Sequence, residues 1–165
     1  MRYILAIFLF SLCACGASSS APPLLQAFDD FSCPRLPEDS GYSVQAQLGP
    51  DHTICSLTPL QAGLLRAEIR VGGHWPLPDD SRFAGFSTTP VGQVAWFYGV
   101  RKGSVHERLA FLPTGLARPS DVLLVIYGGS LQEATRQREL VLATVVRASM
   151  RPNNSFKPNP LRGSA

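Results

Sequence analysis

Asp121-Val122-Leu123-Leu124-Val125-Ile126-Tyr127-Gly128-Gly129-Ser130-Leu131-Gln132-Glu133 is the stretch on which the fold turns. Five consecutive apolar residues, Val122 to Ile126, leave no polar face and predict a strand buried on both sides. Two glycines end it. Ser130 to Glu133 then has the form of a capping box, in which the Ser130 hydroxyl accepts from the Glu133 backbone N–H and the Glu133 carboxylate reaches back to the Ser130 N–H. Beyond it Leu131, Ala134, Val141, Val145 and Ala148 recur at helical spacing, widened by Leu142 and Val146, with Arg136, Gln137 and Glu139 off the stripe. A helix of this length is marginal alone in water, so its stripe must cover a sheet face.

Upstream, period-two runs separated by turn residues supply that sheet. Val44, Ala46 and Leu48 alternate with Ser43, Gln45 and Gln47; Gly49-Pro50-Asp51 is a turn, and His52 to Leu57 returns as the second strand of a hairpin. Thr58-Pro59 has the form of an N-cap followed by proline, which predicts one or two helical turns over Leu60 to Leu65. Ala67, Ile69 and Val71 alternate with Glu68 and Arg70 up to Gly72-Gly73, and His74 to Ser81 reads as a loop. Phe83 to Thr88 and Val94 to Val100 are the next strands, the second expected to be central and covered on both faces, with Trp96 and Tyr98 in the core. Arg101 to Ser104 closes a hairpin onto Val105 to Leu112, which puts Val105, Glu107, Leu109 and Phe111 on one side.

Five to seven mostly antiparallel strands followed by a packed C-terminal helix predict a two-layer α+β domain. A β-sandwich with an appended helix is the alternative. The element order resembles that of the Mog1/PsbP-like group of small sheet-plus-helix domains, a likeness that lends no functional residues.

Composition narrows the function classes. With 45% apolar and 16% charged side chains among 165 residues, the chain is too hydrophobic to be disordered and long enough for one core. Four of its 15 basic residues, Arg2, Arg151, Lys157 and Arg162, lie outside residues 16–150. The middle is therefore near neutral, and nucleic acid is not an expected partner.

The N-terminus reads as an address. Met1-Arg2-Tyr3 is a short cationic start, and Ile4 to Leu12 is an apolar run about half as long as a membrane span requires, the length of a signal-peptide core. Leu12-Cys13-Ala14-Cys15 resembles the lipobox of bacterial lipoproteins, with an aliphatic residue at −3, a small residue at −1 and the thiol at +1. That resemblance implies an acylated Cys15 as mature N-terminus; Cys13 departs from the usual small residue, and ordinary cleavage after Ala17 or Ala21 is the alternative. Gly16 to Pro23 follows as a flexible tether, and Gly16 after the cysteine resembles the outer-membrane sorting pattern. The expected organisation is a signal peptide over 1–14, a lipidated N-terminus and tether over 15–27, one globular domain over 28–150, and a disordered tail over 151–165.

With Cys13 removed and Cys15 acylated, Cys33 and Cys55 are the remaining thiols, and an oxidising periplasm would pair them. Two unpaired buried thiols are the alternative. In the tail, Arg151-Pro152-Asn153-Asn154-Ser155-Phe156-Lys157-Pro158 resembles the translated recombination-site repeat of integron cassettes, which implies a mobile-cassette origin.

Chemistry-bearing patterns are sparse. His52, His74 and His106 fall in no His-x₃-His or His-Glu-x-x-His spacing, so neither a metal nor a cofactor is expected. Asp29-Asp30 and Asp79-Asp80 read as turn formers. Gly72-Gly73-His74-Trp75-Pro76-Leu77-Pro78 combines permissive backbone, an imidazole and an indole, which makes His74 and Trp75 the candidate recognition loop, against a reading in which Trp75 only packs in the core. The expected function is that of a non-catalytic envelope lipoprotein, attached to membrane lipid through Cys15, that binds another envelope or periplasmic protein. The alternatives are an inhibitor or immunity lipoprotein acting against a toxin or lytic enzyme, and an envelope hydrolase.

Overall fold

The computed structural model describes residues 25–76, 78–102, 105–116, 121–151 and 155–156. In chain order the elements are strands β1 (Cys33–Pro34), β2 (Tyr42–Leu48), β3 (His52–Pro59), β4 (Arg66–Gly72), β5 (Phe83–Thr89), β6 (Gly92–Lys102), β7 (Val105–Pro113) and β8 (Asp121–Gly128), then helix α1 (Leu131–Ser149) and strand β9 (Ser155–Phe156). Seven strands form one antiparallel sheet in the order β2-β3-β4-β8-β7-β6-β5, and β1 pairs with β9 as a second, two-stranded sheet. This is the two-layer α+β architecture that the sequence predicts.

The topology is two antiparallel runs, β2 to β4 and β5 to β8, joined by the pairing of β4 with β8. The apolar run sits in the middle because it has no polar face to turn outward: Val122 to Ile126 are all buried. Alternation elsewhere sorts the two faces. Cys55, Ile69, Leu124, Ala110 and Trp96 lie side by side across five strands and face α1. Against them α1 packs Ala134, Val141, Leu142, Val145 and Val146. At the end of β8 a methyl group on Gly128 would stand 2.8 Å from Ala134 Cβ, so glycine lets the first helical turn approach the sheet.

The N-cap forms, with Glu133 N–H donating to Ser130 Oγ at 3.1 Å. The return contact differs: the Glu133 carboxylate accepts from Gly129 N–H, at 3.2 Å, one residue before the expected Ser130. Leu131 leaves the core stripe and is 44% exposed, lining an open cleft at the start of α1 instead. Gln137 turns inward instead, accepting from Leu65 N–H at 2.9 Å and donating to the Gly63 carbonyl. It thereby holds the loop before β4.

Three local expectations are corrected. Thr58 and Pro59 complete β3, paired with Ser43 and Tyr42, and Leu60 N–H donates to Gly41 O at 2.8 Å, so ladder pairing overrides the local helix signal: residues 60–63 form bends and turns, and 64–65 lead irregularly into β4. Strand β6 is next to the edge and not central. Val94 and Trp96 are buried, but Tyr98 is 38% exposed at its far end. The folded core begins before residue 28, since Leu25, Ala27 and Phe28 are all buried and Leu25 N–H donates to Thr114 O.

Cys33 and Cys55 are disulfide-bonded, which fastens the irregular N-terminal segment to the interior of β3. Cys33 also pairs in register with Phe156, which packs against the core. Ser155 and Phe156 are thus part of the fold, unlike the structureless tail expected there. Cys13, Cys15 and the segment 1–24 lie outside the described residues, as do the tail positions other than 151, 155 and 156.

Candidate functional site

The sheet face turned away from α1 carries a charged half and an aromatic half. In the charged half Glu68 of β4 is the hub, its side chain 13% exposed. It accepts from Tyr127 Oη at 2.8 Å, Arg66 Nη2 at 3.2 Å, and Arg70 Nη2 and Nε at 3.1 and 3.3 Å. Period two makes this possible: residues 66, 68 and 70 share one face of β4, and Tyr127 stands beside them on β8.

Burial pushes the Tyr127 hydroxyl up to about 12, helped by the hydrogen bond to Glu68 and its negative charge. Burial opposes the charge on Arg70, but Tyr127 and Glu68 outweigh it and raise its affinity for the proton. The phenol is therefore a neutral donor at physiological pH and Arg70 a fixed cation.

Trp75 lies on this half and not in the core. Its ring takes the Arg70 guanidinium at 5.2 Å and stands edge-on to His52 at 5.7 Å, half-buried. The Gly72-Gly73 turn puts it there, both residues having φ of +74°. His74, its neighbour, is exposed. The candidate recognition loop thus brings Trp75 to the sheet face and leaves His74 at the rim. His52 Nδ1 bonds Asp51 at 2.9 Å, which holds that exposed carboxyl below its ordinary range. The side chain of His106 falls outside the described part of the structure, and Asp79 caps a short turn by accepting from Ser81 N–H. Among the described residues, no three His, Cys, Asp or Glu side chains converge as a metal would require.

The aromatic half spans β5, β6 and β7. Phe83 and Phe86 are 4.9 Å apart, Phe83 and Phe97 6.1 Å, and Phe97 and Phe111 6.4 Å, a chain of tilted and edge-on rings. Phe86 is 58% and Phe83 42% exposed. Both lie on β5, an edge of the seven-stranded sheet, so exposed rings and unpaired backbone groups share one border. Period-two reading assigns these phenylalanines to strands; that their rings meet follows from strand order, which is non-local.

On the helix side, a groove of about 380 Å³ lies between the end of β5 and the last turns of α1, walled by Leu142, Val146 and Met150. A second, open cleft of about 450 Å³ lies between Tyr98 and the first turns of α1. Among the described residues, no helix is long and apolar enough to cross a membrane. No protein-family model, curated protein or solved structure matches the chain.

Proposed function

We propose that this chain is a non-catalytic envelope lipoprotein, held to the membrane through acylated Cys15, whose sheet face captures a periplasmic or envelope protein. The observation that carries the binding reading is the pair Phe83 and Phe86, exposed rings in mutual contact on an edge strand. Contiguous exposed aromatic surface marks an interaction site, and an edge strand offers main-chain hydrogen bonds to an extended segment. The occupant we favour is therefore an extended, apolar-rich segment of the partner laid along β5, its side chains on the phenylalanine rings. Arg66, Glu68, Arg70 and Tyr127 supply a charged flank that fixes orientation. The Cys33–Cys55 disulfide supports the exported location in this reading, since such a bond persists in an oxidising compartment.

The test is cross-linking and pull-down of the full tagged chain from detergent-solubilised envelopes, with the parent and a Phe83→Ser, Phe86→Asp double variant. The expected result is a stoichiometric protein with the parent and its loss with the variant. A partner held equally by both would move the site elsewhere, and a captured toxin or lytic enzyme would identify the inhibitor form of the same function. Anchoring is read separately: Cys15→Ser should leave the membrane fraction, and retention of that variant would refute acylation there.

A further inference from the structure

Arg108 belongs, by strand phase, with Ala110 and Leu112 on the side of β7 that faces the helix, a core position for a cation. It is 2% exposed. Its Nη2 donates to Leu131 O at 3.2 Å and to Thr135 Oγ1 at 2.7 Å, which uses both hydrogens of that nitrogen. The guanidinium stacks on the Tyr98 ring, 4.3 Å from its centroid. Nε and Nη1 are buried with no hydrogen-bond partner.

A buried guanidinium ordinarily has a carboxylate partner, because its charge is otherwise stripped of water without compensation. None of the hydrogen bonds or ion pairs seen for Arg108 among the described residues involves a carboxylate. Burial lowers its affinity for the proton, the like charge of Arg138 adds to that, and only Tyr98 opposes it. The 450 Å³ cleft beside it is lined by Tyr98, Arg108, Leu131, Gln132, Thr135 and Arg136: two cations, two hydrogen-bonding side chains, an apolar wall and no acid. Arg136 is exposed and lines the same opening.

We propose that this cleft binds a small organic carboxylate, with Arg108 as the buried countercharge at its floor, Arg136 as the cation that meets the ligand, and Tyr98 and Leu131 against the apolar body of the ligand. The volume lies within the range of small-molecule sites, and an anion would supply the missing countercharge. The apolar wall favours an organic acid over a bare oxyanion.

Benzoate is a suitable probe, titrated into ¹⁵N-labelled full-length protein while the arginine Nε–H signals are followed. The Arg108 signal should shift saturably, and Arg136→Gln, an exposed change that spares the fold, should weaken benzoate by roughly tenfold, the loss of one charge-assisted contact. Arg108→Gln should abolish binding; where that variant unfolds, the Arg136→Gln comparison alone decides. Benzamide, which has the same shape without the charge, should produce no saturable shift. An unmoved Arg108 signal, an equal response to benzamide, or a response to inorganic phosphate and not to benzoate would overturn the proposal.

Discussion

Trp96 Nε1 donates to Ser87 Oγ across 2.6 Å inside the helix–sheet interface, where the indole is wholly buried. The Ser87 hydroxyl in turn donates a hydrogen bond to Glu139 Oε1 of α1, also at 2.6 Å, so one hydroxyl satisfies the largest core side chain and ties strand to helix. Ser87→Ala would leave the indole N–H buried without an acceptor, which costs about 1–3 kcal/mol. Urea unfolding followed by tryptophan fluorescence should show that loss. A change under about 0.5 kcal/mol, the range of an ordinary surface substitution, would mean the bond carries no net stability.

The Cys33–Cys55 bridge joins residues 22 positions apart. Its chief effect is on the unfolded chain, and a loop of this size contributes about 3 kcal/mol in the entropy model. Urea unfolding with and without reductant should differ by about that amount, and intact mass should rise by two hydrogens on reduction. A protein equally stable in both forms would refute the assignment.

Tyr127 supplies a pH dependence with a definite sign. Its folded-state value, pushed up to about 12, lies above the unfolded value near 10. The folded state thus holds the phenolic proton more tightly, and the stabilisation is full below pH 10 and lost as pH rises towards 12. Absorbance titration of tyrosinate should show Tyr127 titrating late, as should Tyr42, whose hydroxyl burial also pushes up, and Glu68→Gln, which removes the accepting carboxylate, should bring only the Tyr127 step earlier. Tyrosines that all titrate together near pH 10 would contradict the network.

Gly72 is required twice over. Its φ is +74°, and an added Cβ would run into the Phe31 ring and stand 2.8 Å from Asp51 O. Gly72→Ala should therefore destabilise by about 1–3 kcal/mol, against the small gain that alanine brings at an unstrained site. Gly63, whose φ is also positive at +86°, has nothing within 4 Å of an added Cβ. Gly63→Ala should cost less in the same denaturant series, and equal losses would show that the Phe31 contact is immaterial.

Much of this fold was legible because its determinants are local. The β2–β3 hairpin, the buried run of β8 and the Ser130 cap each depend on residues within twenty positions of one another. Pro59 is not legible in this way, because proline after threonine favours a helix start by propensity, whereas its place opposite Tyr42 is set by a ladder. The β1–β9 pairing joins Cys33 to Phe156 across nearly the whole described chain, beyond the reach of periodicity. Of the candidate site, Trp75 was visible in its Gly-Gly loop, but the ring chain from Phe83 to Phe111 depends on strand order. Arg108 has a local signal of its own: alternation puts it in phase with Ala110 and Leu112, where a charge asks for a reason.

The central strand of the sheet is also the last of its seven strands in the chain. A ribosome or translocon releasing the protein N-terminus first delivers β2 to β4, then β5 to β7, as two ribbons with no hydrogen bonds between them. Only when residues 121–128 emerge can these ribbons be zipped together, and the helix that roofs the core follows at once. Chains truncated before that point should therefore remain collapsed but uncommitted, and folding should be a late, concerted event paced by distant contacts.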